Sequence, residues 1–240
     1  MTVRLVASGA ARSWRGTDVL TSVDLEVAGG EVMALIGPNG GGKSTLLLMF
    51  AGLVRPSAGA VTLDGTPTHE VATSSSGSIG LITATPGLYP LLTGRENLEF
   101  FGGLYGLSAA DVSARAGDMV RDLGLAGVLD VKVAAYSSGM QQKLSLVRAQ
   151  LLRPRVLLLD EPTANLDPVS TDTIHRIVRR LADDGMAVVL VTHDLHAAEW
   201  LCDRVAVIAG GLRAVERLDG ARVPPPTGRL FELYRAWATP

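Results

Sequence analysis

Apolar residues fall in short unbroken runs set between turn-forming residues. The runs at 32–36, 156–159, 187–191 and 205–208 show no polar alternation, which predicts strands buried on both faces, as in a parallel sheet. The run at 46–50 continues from a glycine-rich turn and predicts the first helix. Shorter β-rich runs at 3–6 and 23–27 flank the polar segment 8–18, and Gly29-Gly30-Glu31 turns the second of them into the strand at 32–36. A turn at Pro56-Ser57-Ala58-Gly59 leads to a strand at 60–63 that Asp64-Gly65 reverses. Residues 69–78 read as a polar loop, and 79–83 as another buried strand.

From Thr93 the pattern changes to helices at 96–105, at 109–123 behind the Ser108 cap with Asp111 three residues on, and at 141–152. After Pro154 the buried strands resume. Asp167-Pro168 caps and starts a helix with Ile174, Ile177, Val178 and Leu181 on one face, and Gly185 ends it. Pro224-Pro225-Pro226 is a stiff break before a short helix at 229–237. There is no internal repeat. The expectation is an α/β fold: a parallel-sheet core, an N-terminal antiparallel β-layer and an inserted α-helical subdomain.

Size, charge and cysteine content narrow the class. A chain of 240 residues suits one α/β domain with an insertion. The single cysteine, Cys202, excludes an internal disulfide, and residues 1–4 lack the basic-then-apolar order of a signal peptide, so a cytoplasmic location is expected. The net charge of −2 gives no basic footprint for nucleic acid. The longest apolar stretch, 46–54, falls short of the ~20 residues that cross a bilayer, so a membrane role needs a partner.

The candidate chemistry begins at Gly37-Pro38-Asn39-Gly40-Gly41-Gly42-Lys43-Ser44-Thr45, which fits G-x-x-x-x-G-K-[ST] between a buried strand and a helix. The glycines let backbone amides point at phosphate oxygens, and the helix start presents its positive end to the same anion. Lys43 would reach the β- and γ-phosphates, and Ser44 would complete a Mg²⁺ shell. Asp160 and Glu161 end the strand at 156–159, on the rim where open α/β sheets hold ligands. Asp160 would bind Mg²⁺ through water, and Glu161 would deprotonate the attacking water. His193 ends the strand at 187–191 and would emerge beside Glu161. Tyr136-Ser137-Ser138-Gly139-Met140-Gln141-Gln142 precedes a helix, with Ser138 and Gln141 spaced as a capping box; it is a second anion-ready helix start.

These motifs, with Ala164-Asn165-Leu166-Asp167 and Thr192-His193-Asp194, occur in an order that resembles the nucleotide-binding subunit of an ABC transporter over essentially the whole chain. The resemblance implies ATP hydrolysis, a P-loop NTPase (RecA-like) core at about 1–92 and 153–220, a helical signature subdomain at about 93–152 and a terminal helix within 221–240. It implies a head-to-tail dimer, formed by two copies or with a related ATPase subunit, in which ATP lies between residues 37–45 of one copy and Ser137, Ser138 and Gly139 of the other, with Asp167 nearby. It also implies a transmembrane permease partner that holds the chain at the inner face of the membrane. Thr93-Gly94-Arg95-Glu96-Asn97-Leu98, Phe100-Phe101 and Leu104-Tyr105-Gly106 look like the export-type branch of drug- and sodium-efflux ATPases.

Three departures stand out. The usual Leu-Ser-Gly-Gly-Gln signature carries Tyr136, Ser138 and Met140 here at its first, third and fifth positions. The glutamine or glutamate expected after the strand at 79–83 is Ala84; if the segment stays extended the flanking Thr83 and Thr85 both point away from the site, and if the loop has begun to turn Thr85 could stand in for the missing amide. The base-stacking tyrosine is replaced by Trp14, whose larger ring should stack on adenine at least as well. A regulatory GTPase is disfavoured because neither Asn-Lys-x-Asp nor Asp-x-x-Gly occurs. A small-molecule kinase would need an acceptor pocket in place of the second helix start, and soluble ABC ATPases generally fuse two such domains or carry coiled coils.

Overall fold

The computed structural model describes residues 3–74, 77–164, 166–218 and 230–231. Five parallel strands form the centre: β3 (Val32–Ile36), β6 (Ile79–Ile82), β7 (Val156–Asp160), β8 (Ala187–Val191) and β9 (Arg204–Ile208). With β10 (Leu212–Arg217) antiparallel at one edge, the order across the sheet is β10-β9-β3-β8-β7-β6. β3 and β8 are buried along their whole length, which is why they read as uninterrupted apolar runs. Their side chains still alternate between two cores. Met33 and Leu35 pack into one with Val189 and Leu158, while Val32, Ala34 and Ile36 pack into the other with Leu157, Leu159 and Leu190.

The first of these cores is closed by α1 (Lys43–Phe50) and a four-stranded antiparallel layer of β1 (Arg4–Trp14), β2 (Thr17–Ala28), β4 (Ala58–Leu63) and β5 (Thr66–Pro67), in the order β2-β1-β4-β5. The expected β-layer is therefore present, and it is larger than the apolar runs suggested. Residues 8–18 are not a connecting segment; they finish β1, turn at Arg15-Gly16 and begin β2. Residues 69–78 are not wholly loop either, since α2 (Thr68–Thr73) occupies their first part.

The other core is covered by α3 (Gly94–Gly103), α4 (Ala109–Asp122), α5 (Ser138–Gln150), α6 (Pro168–Asp183) and α7 (Leu195–Leu201). Ser108 and Asp111 form the expected capping box of α4, and Thr93 with Glu96 forms another on α3. Asp167 caps α6 by accepting from the Ser170 amide at 2.9 Å, with Pro168 at its start. The Ser138–Gln141 capping box is not formed. The cap of α5 lies one residue earlier, where the Ser137 hydroxyl accepts from the Met140 amide, and the helix begins at Ser138 instead of 141. Tyr136, at the first position of the variant signature, buries its ring and donates its hydroxyl to Val128 O at 2.7 Å. The proline break and most of the expected terminal helix lie outside the described residues; Leu230 is helical and buried against this core. Among the described residues no helix is long and apolar enough to cross a membrane.

Candidate functional site

The phosphate-loop candidates wrap the carboxyl end of β3. Gly37 has φ +148° and a Cβ there would lie 2.0 Å from Ile208 O, so only glycine lets the loop pass against the end of β9. Gly42 is the N-cap of α1 at φ +99° and brings no side chain to the first-turn amides, which are left to face an outside acceptor. Lys43 is buried, and its Nζ donates to Gly37 O and Pro38 O, both at 2.9 Å. Its ammonium is thereby held beneath the loop. Burial lowers its pKa, against the opposing pull of Glu161 and Asp160.

Parallel pairing of β7 with β8 sets Asp160 opposite Val191, which brings Asp160, Glu161 and His193 to one rim. Asn39 to Thr45, Asp160, Glu161 and His193 line a single cavity of about 220 Å³ together with Val19 and Val191. Glu161 is a non-glycine residue in the left-handed region, at φ +50°, and its amide donates to Val191 O at 3.0 Å. Its Oε1 is buried without a hydrogen bond, 3.5 Å from His193 Nε2. Burial is the main force raising the Glu161 pKa; the neighbouring Asp160 adds to it, while His193 and Lys43 oppose it. An under-satisfied carboxylate with raised basicity, beside a lysine and a second acid, is suited to taking a proton from water.

The remaining candidates lie apart from this cavity. Trp14 sits at the end of β1, 47% exposed, with the Arg12 guanidinium 3.8 Å from its ring centroid. Ser137 and Ser138 are exposed at the start of α5. Gly139 is buried against the start of α6, where a Cβ would lie 2.6 Å from Ser170 Oγ and 3.6 Å from Asp167 Oδ2. Ala84 lies outside the cavity lining. β6 has already ended there, and the Thr83 hydroxyl donates to Thr85 O at 2.7 Å, so the chain has turned and the Thr83 hydroxyl is engaged. The following residues are held to α5, with Ser145 donating to Pro86 O at 2.8 Å and Arg148 to Gly87 O at 2.7 Å. Val19 and Val191 were missed as lining residues because nothing in an isolated valine distinguishes a pocket wall from core.

A parallel sheet with a glycine loop entering a helix after one strand and paired acids after another defines a phosphate-loop nucleotide-binding fold. The chain belongs to the ABC transporter family, whose model matches residues 20–164, and within that family to its ATP-binding subunits. It is 37% identical over 204 residues to the uncharacterized ABC transporter ATP-binding protein YdbJ of Bacillus subtilis, covering 84% of this chain and 65% of that one. The daunorubicin/doxorubicin resistance ATP-binding protein DrrA of Streptomyces peucetius is 38% identical over 217 residues, 89% of this chain and 64% of its own length. The chain thus spans just under two thirds of these two relatives. Among solved structures, an ATP-binding subunit of an ABC transporter superposes with a TM-score of 0.83 at 30% identity over 96% of this chain and 99% of that one. A dimeric post-hydrolysis state of the ATP-binding cassette MJ0796, bound to ADP and Pi, gives 0.80 at 27% identity over 90% and 99%.

Proposed function

We propose that the chain is the ATP-hydrolysing motor of a transporter, closing with a second copy or a related ATPase subunit around ATP to drive a separate transmembrane permease. The observation that carries this reading is the meeting of Lys43, Ser44, Asp160, Glu161 and His193 in one cavity over uncapped helix amides. The first-turn amides of α1 and Lys43 bind the β- and γ-phosphates. Glu161 takes the proton of the attacking water, and His193 orients Glu161 and the γ-phosphate. Trp14 receives the base. Ser137, Ser138 and Gly139 complete the phosphate site of the facing copy, with Asp167 at the junction.

The donor set fits Mg²⁺. Among the described residues no trio of histidine, cysteine or acidic side chains could hold a metal unaided, whereas the Ser44 hydroxyl and Asp160 carboxylate share the cavity in which phosphate oxygens would sit. Bound there, the ion would neutralise charge developing on the phosphates. Ala84 has no atom that could ligate the ion, so an extra water would complete its shell on that side. The proposed division is an ATP-binding core at about 1–92 and 153–220 with a helical part at about 93–152. The permease alone gives membrane contact, at the inner face of the membrane. Export is supported by relatives named for drug resistance and for Nod factor export.

Glu161→Gln tests the chemistry. ATP binding should persist while hydrolysis with water alone falls by ~10²-fold or more. Hydrolysis at the unmutated rate would remove Glu161 as the base.

A further inference from the structure

Arg12 and Trp14 are two residues apart near the end of β1, paired across the hairpin with Leu20 and Thr17. The Arg12 guanidinium lies 3.8 Å from the centroid of the indole. Its Nη1 donates to Arg55 O at 2.8 Å, in the turn that follows α1 and precedes β4. Its Nε is buried without a hydrogen bond. Arg12 makes no ion pair among the described residues, so its charge is directed at a carbonyl and at the π-face of the ring, and no carboxylate draws it away. Nearly half of Trp14 nevertheless stays exposed.

An indole on a hairpin tip has two open faces and free rotation about its side-chain torsions. Here one face is occupied by a planar cation that is itself tied to the chain leaving the phosphate-loop helix. We propose that Arg12 is a positioning residue: it clamps Trp14 between β1 and the segment after α1, fixing one rotamer and presenting the uncovered face to the purine of ATP. This deepens the reading of Trp14 as the base platform and rests on it. The guanidinium stacks on the face away from the base, so the bound nucleotide completes a sandwich of guanidinium, indole and purine. Ordering the indole before binding removes part of the entropic cost that the base would otherwise meet. Arg12 does not touch the phosphates, which lie at the other end of the ligand.

Calorimetric titration of the full chain with ATP and, separately, with inorganic tripolyphosphate tests the clamp. Arg12→Ala should weaken ATP roughly two- to fivefold, the size of one exposed cation–π contact. Arg12→Lys should recover part of that loss, because the charge over the ring is kept while the flat stacking surface is not. Tripolyphosphate, which has no base, should bind the parent and both variants alike. In a Trp14→Ala background the Arg12→Ala change should have no further effect on ATP. Equal weakening of ATP and tripolyphosphate would show that Arg12 serves the phosphate end or the loop as a whole, and would overturn the clamp. So would an additive loss in the double variant, or tighter ATP binding in Arg12→Ala, since the latter would mean that the guanidinium occupies the place of the base. Unaltered ATP affinity in Trp14→Ala would remove the base platform itself, and the role of Arg12 with it. Weakened ATP in Trp14→Ala with no change in Arg12→Ala would leave the platform standing and discard only the clamp.

Discussion

The helix starts of α1 and α5, the two candidate phosphate sites among the described residues, are built in opposite ways. At the start of α1 the cap is Gly42, no side chain serves the first-turn amides, and the buried Lys43 waits beneath them. At the start of α5 the Ser137 hydroxyl accepts from the Met140 amide, no acidic or basic group lies in the first turn, and both serines are exposed. The first leaves its amides free for an outside acceptor. The second has already satisfied one of its own amides, so it gains by meeting a phosphate only when another surface supplies one. This contrast is what a two-copy site requires. In the arrangement proposed above each chain would hold nucleotide by α1 and offer α5 to its neighbour, and the close approach of Gly139 to Ser170 joins the start of α5 to the helix capped by Asp167.

The largest effect should come at the start of α1. Lys43→Ala removes the cation held against Gly37 O and Pro38 O, and ATP affinity measured by titration should fall by about 10²-fold, the scale of lost hydrogen bonds to a charged group. A loss of the same size from Ser137→Asp in the isolated chain would break the contrast. That variant keeps a side-chain acceptor for the Met140 amide while placing a negative charge where the facing phosphate would lie, so it should leave ATP binding by the single chain intact and prevent pairing. Ser137→Ala instead removes the cap and should lower the stability of the fold by about 0.5–2 kcal/mol in chemical denaturation, an effect Ser137→Asp should not reproduce.

Smaller effects report the electrostatics of the rim. Burial raises the Glu161 pKa, so the contribution of this group to stability is present below its unfolded value, near 4.5, and is lost as pH rises through the folded one. Glu161→Gln should therefore raise the melting temperature at neutral pH, by about 2–4 °C for each kcal/mol relieved, and the gain should vanish in acid. His175 behaves in the other sense. It is buried against Trp200 with Nε2 unpartnered, and burial lowers its pKa although Asp194 and Asp172 oppose this. Its contribution is present above the unfolded value near 6.5 and lost as pH falls toward the folded one. His175→Leu should flatten that part of the stability profile; an unchanged profile would place the titration elsewhere.

The strands that carry the site were legible because burial on both faces leaves an apolar run with no competing pattern, as in β3, β7 and β8. In the antiparallel layer β4 was legible, but β1 only at its start and β2 only towards its end. β1 and β2 shift register between Ala7 and Ala10, between Ala10 and Arg12 and between Arg12 and Ser13, and each shift breaks the two-residue alternation that marks a half-buried strand. β10 escaped for a related reason, since its inward positions Leu212, Ala214 and Glu216 are only half-buried and one of them is charged. The helix α2 is too short to show a period. The cap of α5 was misplaced by one residue because Ser137 and Ser138 are chemically identical candidates, and only the backbone decides between them. In the site, residue types with strong chemical preferences identified the rim. The stacking of Arg12 on Trp14, two residues apart on one strand, left no pattern to read.

The central claim is that α1 of one chain and α5 of another close on the same nucleotide. It is tested most directly by the mass in solution of Glu161→Gln, which should bind ATP without consuming it. With ATP and Mg²⁺ at concentrations well above the nucleotide affinity, light scattering during size-exclusion chromatography should give twice the 25.1 kDa of one chain, reverting to a single chain when Ser137→Asp is added. A mass of one chain for Glu161→Gln with saturating ATP, or a dimer that persists in the Glu161→Gln, Ser137→Asp double variant, would contradict it.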